Sequence, residues 1–197
     1  MAVARATERL TLPTEIDVWQ GDIAELEVDG IIIPANESLF MTAPISATVR
    51  RAAGEEVERA AVARGPVAPG EVVVTGGGRL AAPYIVHAVA VGHDLQPDRD
   101  RVVHALNAAL DVAAHLALRR MAMAPLGTER GVFPPSEAAA IILETLEGRA
   151  AQGRALPESL VLAVGAGEAP TFRAAVEALK LATAGTAPAP PVAGEGG

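Results

Sequence analysis

The sequence contains no cysteine, which removes disulfides, thiolate metal sites and a cysteine nucleophile together. Lysine is nearly missing as well, with Lys180 the sole example. Aromatic residues amount to 3% of the chain although half its residues are hydrophobic, so Ala, Val, Leu and Ile must fill any core. No apolar run approaches the ~18 residues of a membrane-spanning helix. The opening "MAVARATERL" also lacks the apolar stretch of a secretion signal. A soluble, cytoplasmic protein without membrane contact is therefore expected. Positive charge is scarce too: 16 basic residues against 24 acidic ones give a net charge of −8 and a pI near 5.0. Broad nucleic-acid binding depends on clustered Lys and Arg, so it is not expected here. One small phosphate-bearing ligand held by backbone amides stays compatible with this balance.

Glycine is lacking in one telling place. The stretch "VDGIIIPANESLFMTAPISATVRR", residues 28–51, runs from a buried strand through a loop into a helix, with no glycine between Gly30 and Gly54. Loops of this kind often cradle phosphates, because bare amides and a helix N-terminus hold anions well. Here the residues before the helix are Thr42, Ala43 and Pro44.

Short β-branched runs recur along 16–20, 30–35, 71–75, 84–90, 121–126 and 160–165, each the length of a buried strand. Between them, helical periodicity covers 45–63, 99–119, 135–151 and 170–183. In the first of these, Ile45, Val49, Ala52, Ala53, Val57 and Ala60 form an apolar stripe, while Arg50, Arg51, Glu55 and Glu58 face water. In the second, Val102, Val103, Leu106, Leu110, Val112 and Leu116 play the same part. Strands alternating with helices predict a three-layer α/β/α sandwich around a mixed sheet of about six strands. The length, 197 residues, suits one domain over 1–183, followed by a disordered Ala/Pro/Gly tail over 184–197. In such sheets ligands collect at the carboxyl ends of the strands. Three loops lie there, around Gly21–Ile23, Asn36–Pro44 and Gly127–Pro134.

Four segments, in order and in register over roughly 14–180, resemble the macrodomain family of ADP-ribose-binding modules. They are "QGDIAELEVDGII", "PANESL", "PGEVVVTGGGRLAAPYIVHAV" and "LGTERGVFP". The resemblance implies that Asp22 accepts from the adenine amino group with the Ile23 amide beside it, a role that suits a carboxylate because it only accepts. It also implies that Asn36 meets the distal ribose. His87 reads as a satisfied core histidine rather than a catalyst, and His93, His104 and His115 lack metal-ligand spacing. Neither a metal nor a cofactor is expected.

The family pattern breaks at three points. Where members place Gly-Gly-Gly-Val, this chain has Thr42, Ala43, Pro44 and Ile45; Pro44 has no amide hydrogen and Ala43 adds a Cβ. In the second phosphate loop Gly127, Thr128, Phe133 and Pro134 match. Glu129 replaces a glycine there, Arg130 is available to a phosphate, and Gly131 stands where many members carry an aromatic. Near the end of the last strand, Gly165 and Ala166 stand where an aromatic lies against adenine. A bond to a charged group is worth roughly 1.5–3 kcal/mol, so these losses weaken ADP-ribose by on the order of a hundredfold.

Three functions follow from the resemblance. One is binding of ADP-ribose or a related adenine nucleotide, with diphosphate recognition weakened or altered. Another is a degenerate pocket serving a protein partner or a homo-oligomer. The third is an ADP-ribosyl or phosphate-ester hydrolase, for which the first loop offers only Thr42, Ser46 and Thr48. Fold alone does not choose among them.

Overall fold

The computed structural model describes residues 12–92, 98–128 and 133–184. His93, Glu129, Arg130, Gly131 and the tail beyond 184 lie outside the described residues. Six strands, β1 (Glu15–Gln20), β2 (Gly30–Asn36), β3 (Val72–Gly76), β4 (Tyr84–Val91), β5 (Arg120–Met123) and β6 (Ser159–Val164), form one sheet in the order β1-β6-β5-β2-β4-β3. All neighbours are parallel except β3, which pairs antiparallel with β4. The expected mixed sheet is therefore present, at the expected places.

Helices cover both faces. α1 (Pro44–Ala53) and α2 (Glu55–Val62) lie on one; α3 (Arg99–His115), α4 (Pro135–Ala151) and α5 (Ala169–Ala184) lie on the other. The alternation of strand side chains decides which core each residue joins. Ile31 and Ile33 pack under α1, whereas Ile32, between them, joins the core beneath α3 to α5. All three are fully buried, and each contributes roughly 1.5–3 kcal/mol. A run of three isoleucines is what a strand needs when both its faces are covered. No helix of the described residues is long and apolar enough to cross a membrane.

The single helix expected over 45–63 is two helices. Gly54 has φ 114, a conformation L side chains rarely adopt, and α1 ends on it while α2 starts after it. The break turns Ala52 and Ala60 out to solvent and buries Ala61 in place of Ala60. Glu58, expected in water, is half-buried: it accepts from the Met41 amide at 2.7 Å and pairs with Arg50 at 2.9 Å. That carboxylate, with buried Leu39 and Met41, holds the glycine-free loop in place. Two other expected elements are shorter. α3 stops at His115, leaving Leu116 exposed, and β5 stops at Met123.

The short β5 explains how a proline sits inside β2. Pro34 pairs with Ala88 of β4, but β5 reaches only as far as Ile32. Alternate residues turn their backbone groups to alternate neighbours, and Ile32 accepts the Ala124 amide at 3.0 Å on the β5 side. The nitrogen of Pro34 faces that same side, past the end of the ladder, so its missing N–H costs the sheet nothing. β2 and β5 part at this end, and the chain leaves them for opposite faces, β2 into α1 and β5 towards α4. A crevice forms where neighbouring strands send their helices to opposite sides. At the other end Asp29 binds the two strands together, accepting from the Arg119 and Arg120 amides at 2.9 and 2.8 Å. The Arg120 amide, above all, holds the Asp29 carboxyl below its ordinary value.

Candidate functional site

At the carboxyl ends of β1, β5 and β6 lies a cleft of about 390 Å³, roofed by the first turns of α1. Gly21, Asp22 and Ile23 form one wall, Pro44, Ile45 and Thr48 another, and Ala124 and Ala163 with Val164, Gly165 and Glu168 close it.

Asp22 caps a short 3-10 turn, Ile23–Glu25, by accepting the Ala24 amide through Oδ1 at 2.9 Å. A carboxylate has acceptor capacity for more than this one bond, so Asp22 retains acceptors for a ligand. Buried Ile23 anchors the turn in the core below α1.

α1 begins with Ala43 as its cap residue and Pro44 in its first position. The first intrahelical bond is donated by the Ala47 amide to the Ala43 carbonyl at 2.8 Å. The N–H groups of Ile45 and Ser46 lie before it, so they have no helical partner and remain as donors at the positive end of the helix. The Ser46 hydroxyl turns back to the Ala43 carbonyl at 3.1 Å. Among the described lining residues Asp22 and Glu168 are the charged ones, and none is basic. Among the described lining residues, the donors that suit an anion are therefore those of the backbone.

The residues expected at the site are not all gathered there. Asp22, Ile23 and Ile45 line the cleft together, and Ala43 stands directly before Pro44 at its edge. Thr42 is exposed beside it. Asn36 ends β2, where its Oδ1 accepts the Ser38 hydroxyl at 2.9 Å. Gly127, Thr128 and Phe133 flank the loop after β5 without lining this cleft among the described residues. Glu129, Arg130 and Gly131 belong to the segment outside the description.

Glu168 escaped the sequence reading. Its carboxylate accepts the Gly165 amide at 3.1 Å, while its own amide donates to the Gly165 carbonyl at 3.0 Å. The first bond is the carboxylate half of a capping box; the second is a backbone turn bond, since glycine has no side chain to supply the other half. The Gly-x-x-Glu spacing ahead of an apolar helix was the available signal. His87 is the core residue it was expected to be. It is buried, with Nε2 2.9 Å from Thr75 Oγ1, and burial first, then the Arg64 charge, depresses its pKa to about 4. No cluster with metal-ligand character occurs among the described residues.

The Macro domain family model matches residues 32–142. The chain belongs to the macro domain family. Among its relatives, a protein of Aquifex aeolicus is 32% identical over 133 residues, which are 67% of this chain and 81% of that one. A macro domain-containing protein of Cupriavidus necator is 33% identical over 135 residues, covering 65% and 78%. This chain spans only 36% of a 32%-identical relative from Mycobacterium bovis. Among solved structures, the Oceanobacillus iheyensis macrodomain with ADP superposes with a TM-score of 0.76 at 21% identity, over 87% of this chain and 95% of that one. The Trypanosoma brucei macrodomain in complex with ADP gives 0.74 at 20% identity, over 86% and 75%. These two likenesses are of fold.

Proposed function

We propose that the cleft of this macro domain binds ADP-ribose or a related adenine nucleotide, with contact to the diphosphate altered by Thr42, Ala43, Pro44 and Glu129. The observation that carries this reading is a juxtaposition. Asp22, an acceptor suited to an exocyclic amino group, shares one cleft with the N-terminus of α1, whose Ile45 and Ser46 amides suit an anion. The cleft also lies in the crevice where ligands collect in open α/β sheets. Structures of similar fold with ADP bound, from Oceanobacillus iheyensis and Trypanosoma brucei, support the same assignment.

Recognition is divided unequally in this reading. The adenine end keeps its acceptor, whereas the phosphate end has lost the Pro44 amide and gains no basic side chain from the described lining residues. AMP therefore loses less affinity than ADP-ribose does, relative to a macro domain with glycine loops.

Calorimetric titration with ADP-ribose, ADP, AMP and buffer tests this. Heat of binding from AMP and ADP-ribose, with AMP the less weakened, is the expected result. The absence of binding by any of them at millimolar concentration overturns the reading. The degenerate pocket with a protein partner then takes its place. That second reading has its own support in Phe40, which is 53% exposed in the loop leading into α1.

A further inference from the structure

The cleft lining described above contains no aromatic ring, yet the chain's single tryptophan stands beside it. Trp19 lies on β1, and the parallel register sets it opposite Ala163 of β6. Residues paired in a parallel ladder project to one face of the sheet, and Ala163 both joins the core under α1 and lines the cleft. Trp19 thus projects on the cleft side. The remaining pairs agree: Ile16 with Leu160 and Val18 with Leu162 all turn to the opposite core.

Two residues further on, Gly21 returns to the same face and lines the cleft itself. A Cβ at position 21 would fall 2.5 Å from Trp19 Nε1, 2.9 Å from Cε2 and 3.2 Å from Cζ2. The indole therefore lies back against the bare Gly21 backbone, in space that any larger residue would occupy. It nevertheless remains 43% exposed. A ring placed so adds little to the core, but it leaves an exposed apolar surface against Gly21, a residue that lines the cleft.

We propose that Trp19 is the platform on which the planar base of the bound nucleotide stacks, so that the cleft selects base-bearing ligands over plain sugar phosphates. This rests on the nucleotide reading and assigns it a specificity-determining residue. Stacking on an aromatic side chain tolerates any base, because each has a π face, and is lost on truncation to alanine by roughly ten- to a hundredfold in affinity. Asp22 adds the selectivity for an amino group that stacking alone does not supply.

The sole tryptophan also makes the test direct. AMP and ADP-ribose are titrated into the wild-type protein while indole emission and its quenching by acrylamide are followed, with ribose 5-phosphate as the ligand without a base. AMP and ADP-ribose are expected to change the emission and shield the indole from acrylamide, whereas ribose 5-phosphate does neither. By calorimetry Trp19→Ala is expected to weaken AMP and ADP-ribose at least tenfold, and Trp19→Phe to retain most of the affinity. If AMP binds the wild type without altering emission or shielding, and Trp19→Ala binds it equally well, the role of Trp19 is overturned and nucleotide binding stands. If neither nucleotide gives heat nor a fluorescence change with the wild type, both readings fall. The wild-type measurements decide the matter even where Trp19→Ala does not fold.

Discussion

Gly127 and Phe133 close the loop after β5 upon each other. The Phe133 amide donates to the Gly127 carbonyl at 3.1 Å, and a Cβ at position 127 would lie 2.4 Å from Phe133 Cδ2. Gly127 also has φ 87. Glycine is needed here twice, once for the backbone and once for the ring. Gly127→Ala is expected to lower stability by about 2 kcal/mol, of which the left-handed backbone accounts for about 1–2 kcal/mol. In a Phe133→Ala background the obstruction is gone and only the backbone cost remains. The double variant should then lose less than the sum of the single losses in thermal denaturation. Strictly additive losses would show that the ring is no obstacle.

The second prediction concerns the phosphate end. Pro44 occupies the first position of α1 and lines the cleft, so replacing it restores an amide where an anion approaches. Thr42→Gly with Pro44→Gly and Glu129→Gly is expected to bind ADP-ribose at least tenfold more tightly than the natural chain. Glu129→Gly should contribute the part that is most sensitive to salt, because it removes a like charge. The new glycines cost up to ~1 kcal/mol each through the unfolded chain. A folded triple variant whose affinity does not rise would show these residues to be incidental.

The strands were legible because a doubly covered sheet demands continuous β-branched runs, as Ile31–Ile33 illustrate. The break at Gly54 was not, for a specific reason. Val49, Ala53, Val57 and Ala61 keep an even spacing of four across it, so periodicity passes through unchanged, and only φ 114 reveals the turn. At the site, Asp22 and Ile23 were readable from their motif. Ala124 and Ala163 were not, since an alanine at a strand end carries no chemical signature. The place of Trp19 beside the cleft needed the β1–β6 register, a long-range fact that no local pattern contains.

A pH dependence follows from His87. Its folded pKa of about 4 lies below the ordinary 6.5, so folding disfavours the charged ring. The unfolded chain takes up a proton below pH 6.5 that the folded chain refuses until about pH 4. The stability His87 confers in its neutral form is therefore complete above pH 6.5 and lost as pH falls from there to about 4, by up to about 3 kcal/mol. Denaturant unfolding between pH 4 and 7.5 should show this loss in the wild type and not in His87→Gln. Equal slopes in the two proteins would show that His87 is not the source of any acid sensitivity in this range. Asp29 and Asp111, held below the ordinary 3.8, give up their stabilisation at lower pH.

The last prediction separates what Asp22 does for the fold from what it does for a ligand. Its Oδ1 caps the 3-10 turn through the Ala24 amide. Asp22→Ala removes that cap at about 1 kcal/mol and removes the base contact as well. Asp22→Asn keeps an oxygen for the Ala24 amide, so the turn and the melting temperature should be nearly unchanged. The amide nitrogen, however, now presents donors where the carboxylate presented acceptors. An adenine amino group then meets a donor, whereas the 6-oxo group of a hypoxanthine base meets a partner. Wild-type protein is expected to prefer AMP over IMP, and Asp22→Asn to weaken AMP at least tenfold while narrowing or reversing that preference. Competition titrations of the two nucleotides against each protein measure the ratio directly. An AMP-to-IMP ratio that Asp22→Asn leaves unchanged would show that Asp22 does not read the amino group, however tightly the cleft binds.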